Sequence, residues 1–156
     1  MGLALDEAEN AMSYGEVPVG SVIVSADGQI LAQKGNRVIN SNDPTAHAEI
    51  LAIRAAARLT GNERLGGCVL VATLEPCLMC AAAIVEARLA GVVFGALDTE
   101  WGALVSRNDY ISITRGRKIW HLGGIRSQEC ASLLNEFFSL RREDNRHGVN
   151  YDQFSG

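Results

Sequence analysis

The 156-residue sequence predicts an α/β layer structure in one domain, with parallel strands and an antiparallel hairpin at the sheet edge. Three observations carry this. Short apolar runs of strand length alternate with stretches of helical periodicity through the middle of the chain. Two β-branched runs flank the turn Ala26-Asp27-Gly28. The composition, 47% hydrophobic and 21% charged, is globular, and the length suffices to enclose an apolar core without disulfide support.

The elements follow in order. Leu3, Ala8, Ala11 and Met12 repeat at helical spacing over 3–14, and Gly15 supplies a stop. Residues 17–25 and 29–36 form the hairpin, followed by a polar loop over 37–44. Residues 47–59 have a strong helical pattern, with Thr45 as candidate cap and Gly61 as stop. Strands follow at 68–73 and 91–96. Between them Pro76 is expected to open a helix over 78–90, at the position where a missing N–H costs nothing. Residues 98–125 mix helical and loop character. A final amphipathic helix runs over 127–144 from Ser127, and the tail is expected to fray.

Composition narrows the function. Apolar runs stay below the roughly 18–20 residues of a membrane helix, and the first residues lack the basic and apolar regions of a signal peptide, so a soluble cytoplasmic protein without membrane association is expected. The net charge of −4 does not by itself mark a nucleic-acid binder. Its distribution is uneven: residues 1–106 carry six Lys/Arg against twelve Asp/Glu, and residues 107–147 carry eight against five. A locally basic C-terminal third can meet phosphates. Cys68 and Cys130 stand alone in apolar surroundings and read as buried free thiols.

Cys77 and Cys80 are different. Three apart at a helix start, their sulfurs face one side and can chelate one ion. His47 adds an imidazole, whereas His121 and His147 have no partner at ligand spacing. Three ligands leave the open fourth position of a zinc that does chemistry. Glu49, two residues after His47, would point roughly 200° away in mid-helix. At the first turn both side chains can border one cavity, where a carboxylate can shuttle protons beside the metal. The pattern H-x-E…P-C-x-x-C is that of zinc-dependent nucleobase deaminases, with the glutamate off the metal.

The runs DPTAHAEI at 43–50, TLEPCLMCAAAI at 73–84, VVFGALD at 92–98 and ECASLLNEFFSLRRE at 129–143 resemble the bacterial tRNA-specific adenosine deaminases, and the likeness covers residues 3–146. It implies the cytidine deaminase-like fold, a three-layer α/β/α arrangement around a mixed sheet of about five strands. It also implies a homodimer, one zinc ion per subunit, and the tRNA anticodon loop as partner. On this resemblance His47, Cys77 and Cys80 hold zinc and Glu49 is the proton shuttle. Asn36 and Ala48 fall at nucleotide-contacting positions. Phe137, Phe138, Arg141 and Arg142 fall on an RNA-contacting motif, with Phe138 taken as the exposed member of its pair. The deaminase domain is expected to span 1–147, and 148–156 to form a disordered tail. Trp101 stands where the family would have a small or polar residue, and 104–125 departs from its usual segment.

The expected activity is conversion of adenosine to inosine at the tRNA wobble position. A free-base or nucleoside deaminase acting on guanine, cytosine or a relative is the alternative, suggested by the acidic net charge and the unfamiliar 104–125 segment. A more distant one is a non-catalytic zinc-binding subunit, which would show a fourth protein ligand or lack the glutamate.

Overall fold

A computed structural model describes residues 1–107, 109–113 and 118–146. Its elements are α1 (Gly2–Ser13), β1 (Gly20–Val24), β2 (Ile30–Gly35), α2 (Val38–Ser41), α3 (Ala48–Thr60), β3 (Val69–Leu74), α4 (Leu78–Glu86), β4 (Gly91–Ala96), α5 (Tyr110–Ile113), β5 (Trp120–Leu122) and α6 (Ser127–Arg146). The strands form one mixed sheet in the order β2-β1-β3-β4-β5. β1 runs antiparallel to both β2 and β3, while β3, β4 and β5 are parallel. The hairpin therefore forms the antiparallel edge, as its turn chemistry predicts.

Helices cover both faces. α1 and α6 pack together on one side, against β1 and β4 respectively, and α3, α4 and α5 form the opposite layer. The main core lies under that second layer, where Leu70, Val92 and Phe94 of the sheet meet Ala52, Ala56 and Ile84 of the helices. Alanines on α3 and α4 let the two helices sit close to each other and to the sheet. A smaller cluster of Leu5, Ala96 and Cys130 fills the α1/α6 side. Cys68 and Cys130 are buried free thiols. No helix among the described residues is long and apolar enough to cross a membrane.

Five expectations change. The 37–44 segment is not only loop: one helical turn, α2, forms because the buried Glu16 carboxylate accepts hydrogen bonds from the Ile39 and Asn40 N–H groups at 3.2 and 2.8 Å. Thr45 does not cap α3, because its N–H and hydroxyl both donate to Asp43 Oδ1; the capping residue is His47. Pro76 lies outside α4, whose N-cap is Cys77, and its carbonyl accepts from Ala103 N at 3.0 Å. That helix ends at Glu86 and not at 90, since Arg88 takes a left-handed φ of 58° to turn the chain into β4. Within 98–125, β5 pairs with β4 and places the half-buried His121 opposite Val92. His147 and the tail 148–156 lie outside the described residues.

α1 rests almost directly on the backbone of the hairpin, and Gly20 makes this possible. A Cβ there would fall 1.9 Å from the Ala4 carbonyl oxygen and 2.7 Å from Ala8 N, both main-chain atoms that cannot rotate aside. Gly20→Ala is expected to cost about 1–3 kcal/mol through this overpacking. The measurement is urea unfolding, which should show a lower midpoint at unchanged slope.

Candidate active site

Two helix N-termini converge at one end of the sheet. His47 caps α3 with an extended backbone (φ −66°, ψ 149°) and makes no side-chain capping bond, so its ring is free to face outward from the helix. Cys77 caps α4 in the same way (φ −72°, ψ 173°), and Cys80 follows in the first turn, fully buried. His47 Nδ1 lies 3.6 Å from each sulfur. All three donor atoms lie within 4.8 Å of one another, the group among the described residues able to hold a metal ion.

These positions fit zinc. Donors sharing one tetrahedral zinc at ordinary Zn–S and Zn–N lengths stand roughly 3.5–3.8 Å apart. The proton affinities point the same way. Cys77 is pulled down to about 4, chiefly by its hydrogen bond with Cys80 and further by His47, against the effect of burial. The same bond, with burial, pushes Cys80 far up. The hydrogen bond to Cys77, opposed by burial and helped by Glu49, raises His47. Two sulfurs thus share one proton, and a divalent cation in its place satisfies both as thiolates. The partial positive ends of α3 and α4 add to this preference for negative charge.

Glu49 occupies the first turn of α3, 4% exposed, with Oε2 buried and unpartnered among the described residues. Burial raises its proton affinity against the opposing effects of its own N–H and the His47 charge. It shares a cavity of about 420 Å³ with His47 and Cys77. The mid-helix angle between residues two apart does not apply, because His47 is an extended cap. Asn36 lines the same cavity, and its Oδ1 accepts the Ala48 N–H at 2.8 Å, so it caps α3 from outside the helix. Ala48 itself is fully enclosed behind Asn36.

Two buried carboxylates were not legible as site residues. Glu16 holds α2, from which Val38 and Ile39 wall the cavity. Glu75 holds the 98–106 loop: Oε1 accepts from Leu104, Val105 and Ser106 N–H at 3.1, 2.7 and 2.9 Å, and Oε2 accepts from Asp98 N–H at 3.1 Å and from the Ser106 hydroxyl. Burial alone would raise its proton affinity, but the Ser106 hydroxyl and these amides outweigh it and hold Glu75 low. The clue available in the sequence was a carboxylate wedged between an apolar strand and Pro76.

The C-terminal residues lie elsewhere. Phe137 is buried and Phe138 is 45% exposed, the assignment expected. Arg141 places its guanidinium 4.9 Å from the Phe137 ring centre and donates to the Gly15 carbonyl at 3.0 Å, and Arg142 donates to Ser139 Oγ at 3.0 Å. None of these four lines the cavity, although the Arg141 bond sets the end of α6 beside Glu16 at its wall.

A His/Cys/Cys zinc site with a carboxylate held off the metal, on a mixed sheet between helical layers, places the molecule among the zinc-dependent hydrolytic deaminases. The chain belongs to the family described as cytidine and deoxycytidylate deaminase, zinc-binding region, whose model matches residues 1–96. It is 44% identical over 145 residues to a tRNA-specific adenosine deaminase of Agrobacterium fabrum, covering 92% of this chain and 95% of that one. It is 40% identical over 147 residues to the corresponding protein of Haemophilus influenzae, covering 94% and 85%. A solved structure from work on A-to-I editing by transfer-RNA deaminases at the wobble position superposes with a TM-score of 0.82 and 45% identity, covering 86% and 97%.

Metal analysis of the purified protein should find one zinc per chain. Cys77→Ser and Cys80→Ser should each lower that content severalfold or more, whereas Glu49→Gln should leave it unchanged. Loss of zinc in the Glu49 variant would place that carboxylate on the metal.

Proposed function

We propose that this protein is a tRNA adenosine deaminase, converting adenosine to inosine at the wobble position of the anticodon loop. It acts in the cytoplasm as a homodimer, with one deaminase domain over residues 1–147 and zinc held by His47, Cys77 and Cys80. The observation that carries this is the 40–44% identity to tRNA-specific adenosine deaminases over more than nine-tenths of the chain, together with a cavity of about 420 Å³, roomy enough for a purine, that His47, Glu49 and Cys77 line. Exposed Leu59 on α3 and Leu78 on α4 support a dimer built on those helices.

The bound zinc supplies Lewis-acid activation of the attacking water. The remaining tasks fall to side chains. Glu49 Oε2, buried and without a hydrogen-bond partner among the described residues, takes a proton from the water that adds at C6 of adenine and delivers it to the ring nitrogen. The carboxylate then takes the second proton from the new C6 hydroxyl and gives it to the exocyclic amine; the C6–N bond breaks, ammonia leaves, and the C6 carbonyl of inosine remains. Its raised proton affinity suits a group that must both accept and donate. Asn36 spends its Oδ1 on Ala48 N–H, so its amide Nδ2 is the donor presented to the base. Apolar Val17, Val19, Val38 and Leu74 exclude water around the ring. An anticodon loop offers its base already unpaired, which spares part of the cost of extrusion. Phe138 and Arg142, exposed on α6, suit a splayed base and a phosphate beyond the cavity, with Arg141 packed behind them.

Incubation of the zinc-loaded protein with cognate anticodon stem-loops should yield inosine, read by nucleoside chromatography. Ammonia release from free guanine or cytosine but not from RNA would overturn the substrate assignment. Glu49→Gln should lower kcat by about 10²–10⁴-fold. Arg142→Ala should weaken RNA binding and reduce the slope of log affinity against log salt by about one.

A further inference from the structure

Trp101 has no part in the chemistry above. It is 72% exposed, more than any other large apolar side chain among the described residues, yet it lines the cavity that holds His47 and Glu49. An indole left in water keeps its burial free energy unrealised, so a flat apolar face beside a ligand cavity is an unused binding surface.

The backbone around it is fixed. Trp101 N–H donates to Asp98 Oδ1 at 3.0 Å, and Gly102 N–H donates to the Asp98 carbonyl at 2.9 Å. Gly102 pairs with Cys77 in a lone antiparallel bridge. It lies so close to Glu75 that a Cβ would stand 2.4 Å from Oε2. The indole is therefore carried on a main chain that has little freedom to lose on binding, the condition under which a stacking contact is strongest. Charge narrows what it can meet. Asp98 and Glu100 flank the indole, and the nearest cation in sequence, Arg107, is tied to the Thr99 carbonyl through its Nε at 3.0 Å, so the part of RNA that the exposed indole face suits is a base.

We propose that Trp101 stacks on the base of a nucleotide adjacent to the adenosine being deaminated, and so selects the RNA context in which the enzyme acts. This rests on the tRNA reading above. The base leaves its own neighbours and lies on the indole, its phosphates turned away from Asp98 and Glu100, while the target adenine enters the cavity beside it.

Steady-state deamination of an anticodon stem-loop by wild-type, Trp101→Ala and Trp101→Phe proteins tests this, with zinc content and circular dichroism as controls of folding. Trp101→Ala should raise KM by about 5- to 100-fold, the range of one lost base stack, with kcat within about twofold. Trp101→Phe should recover most of the loss. Stem-loops abasic at either neighbour of the adenosine decide the partner: the wild type should lose a similar factor at one of them, and Trp101→Ala should lose nothing further there. An unchanged KM in Trp101→Ala overturns the stacking role while the tRNA reading stands. Additive losses at both abasic positions overturn it as well, and so does conversion of Trp101→Ala from dimer to monomer in sedimentation, which would assign the indole to the subunit contact. Failure of the wild type to form inosine removes both readings together.

Discussion

The approach of Cys77 and Cys80 to His47, 3.6 Å in each case, is the constraint around which the rest of the molecule is arranged. The donors come from helices separated by a strand and some thirty residues of chain. For their N-termini to meet, α3 and α4 must start at one end of the sheet and lie close together. Ala52, Ala56 and Ala81 keep that layer thin enough. Each helix start is then pinned from outside: Asn36 binds the first N–H of α3, and the Pro76 carbonyl ahead of α4 holds Ala103. Extended backbone at both caps turns the ligand side chains away from the helix axes and toward each other. The same geometry admits Glu49 to the cavity without making it a member of the His47, Cys77 and Cys80 group.

Much of this was readable from residues alone, for identifiable reasons. α1, the hairpin, α3, α6 and the strands β3 and β4 announce themselves by periodicity, and Asp27-Gly28 and Gly61 mark turns by local chemistry. The zinc ligands show through side-chain type and spacing. What could not be read depends on partners distant in sequence. α2 exists because Glu16, more than twenty residues earlier, accepts its N–H groups. Thr45 looks like a cap until Asp43 takes its hydroxyl and Asn36 takes over the helix end. β5 has three residues and little pattern of its own; its pairing with β4 defines it.

Charge was the least informative signal. The C-terminal third is rich in arginine, but several of these guanidinium groups are already engaged by the protein. Arg126 is paired with Glu129 at 2.6 Å, and Arg141 is divided between the Gly15 carbonyl and the Phe137 ring. Formal charge therefore overstates what a polyanion would meet there. Arginine here also works as a structural tie, fastening the end of α6 to the turn after α1.

The loop over 98–106 is held by Glu75 almost wholly through main-chain amides, Ser106 adding its hydroxyl. Such a grip is indifferent to most of the side chains it supports. Thr99, Glu100, Trp101 and Val105 all point into solvent and take no part in it. Their identities can drift while the loop keeps its course, provided Asp98, Gly102 and Ser106 stay. The one of them that borders the cavity, Trp101, is thus separable from the cavity floor: over evolutionary time, or in a mutant library, the side chain at this edge can be exchanged without reopening the problem of folding or of placing the triad.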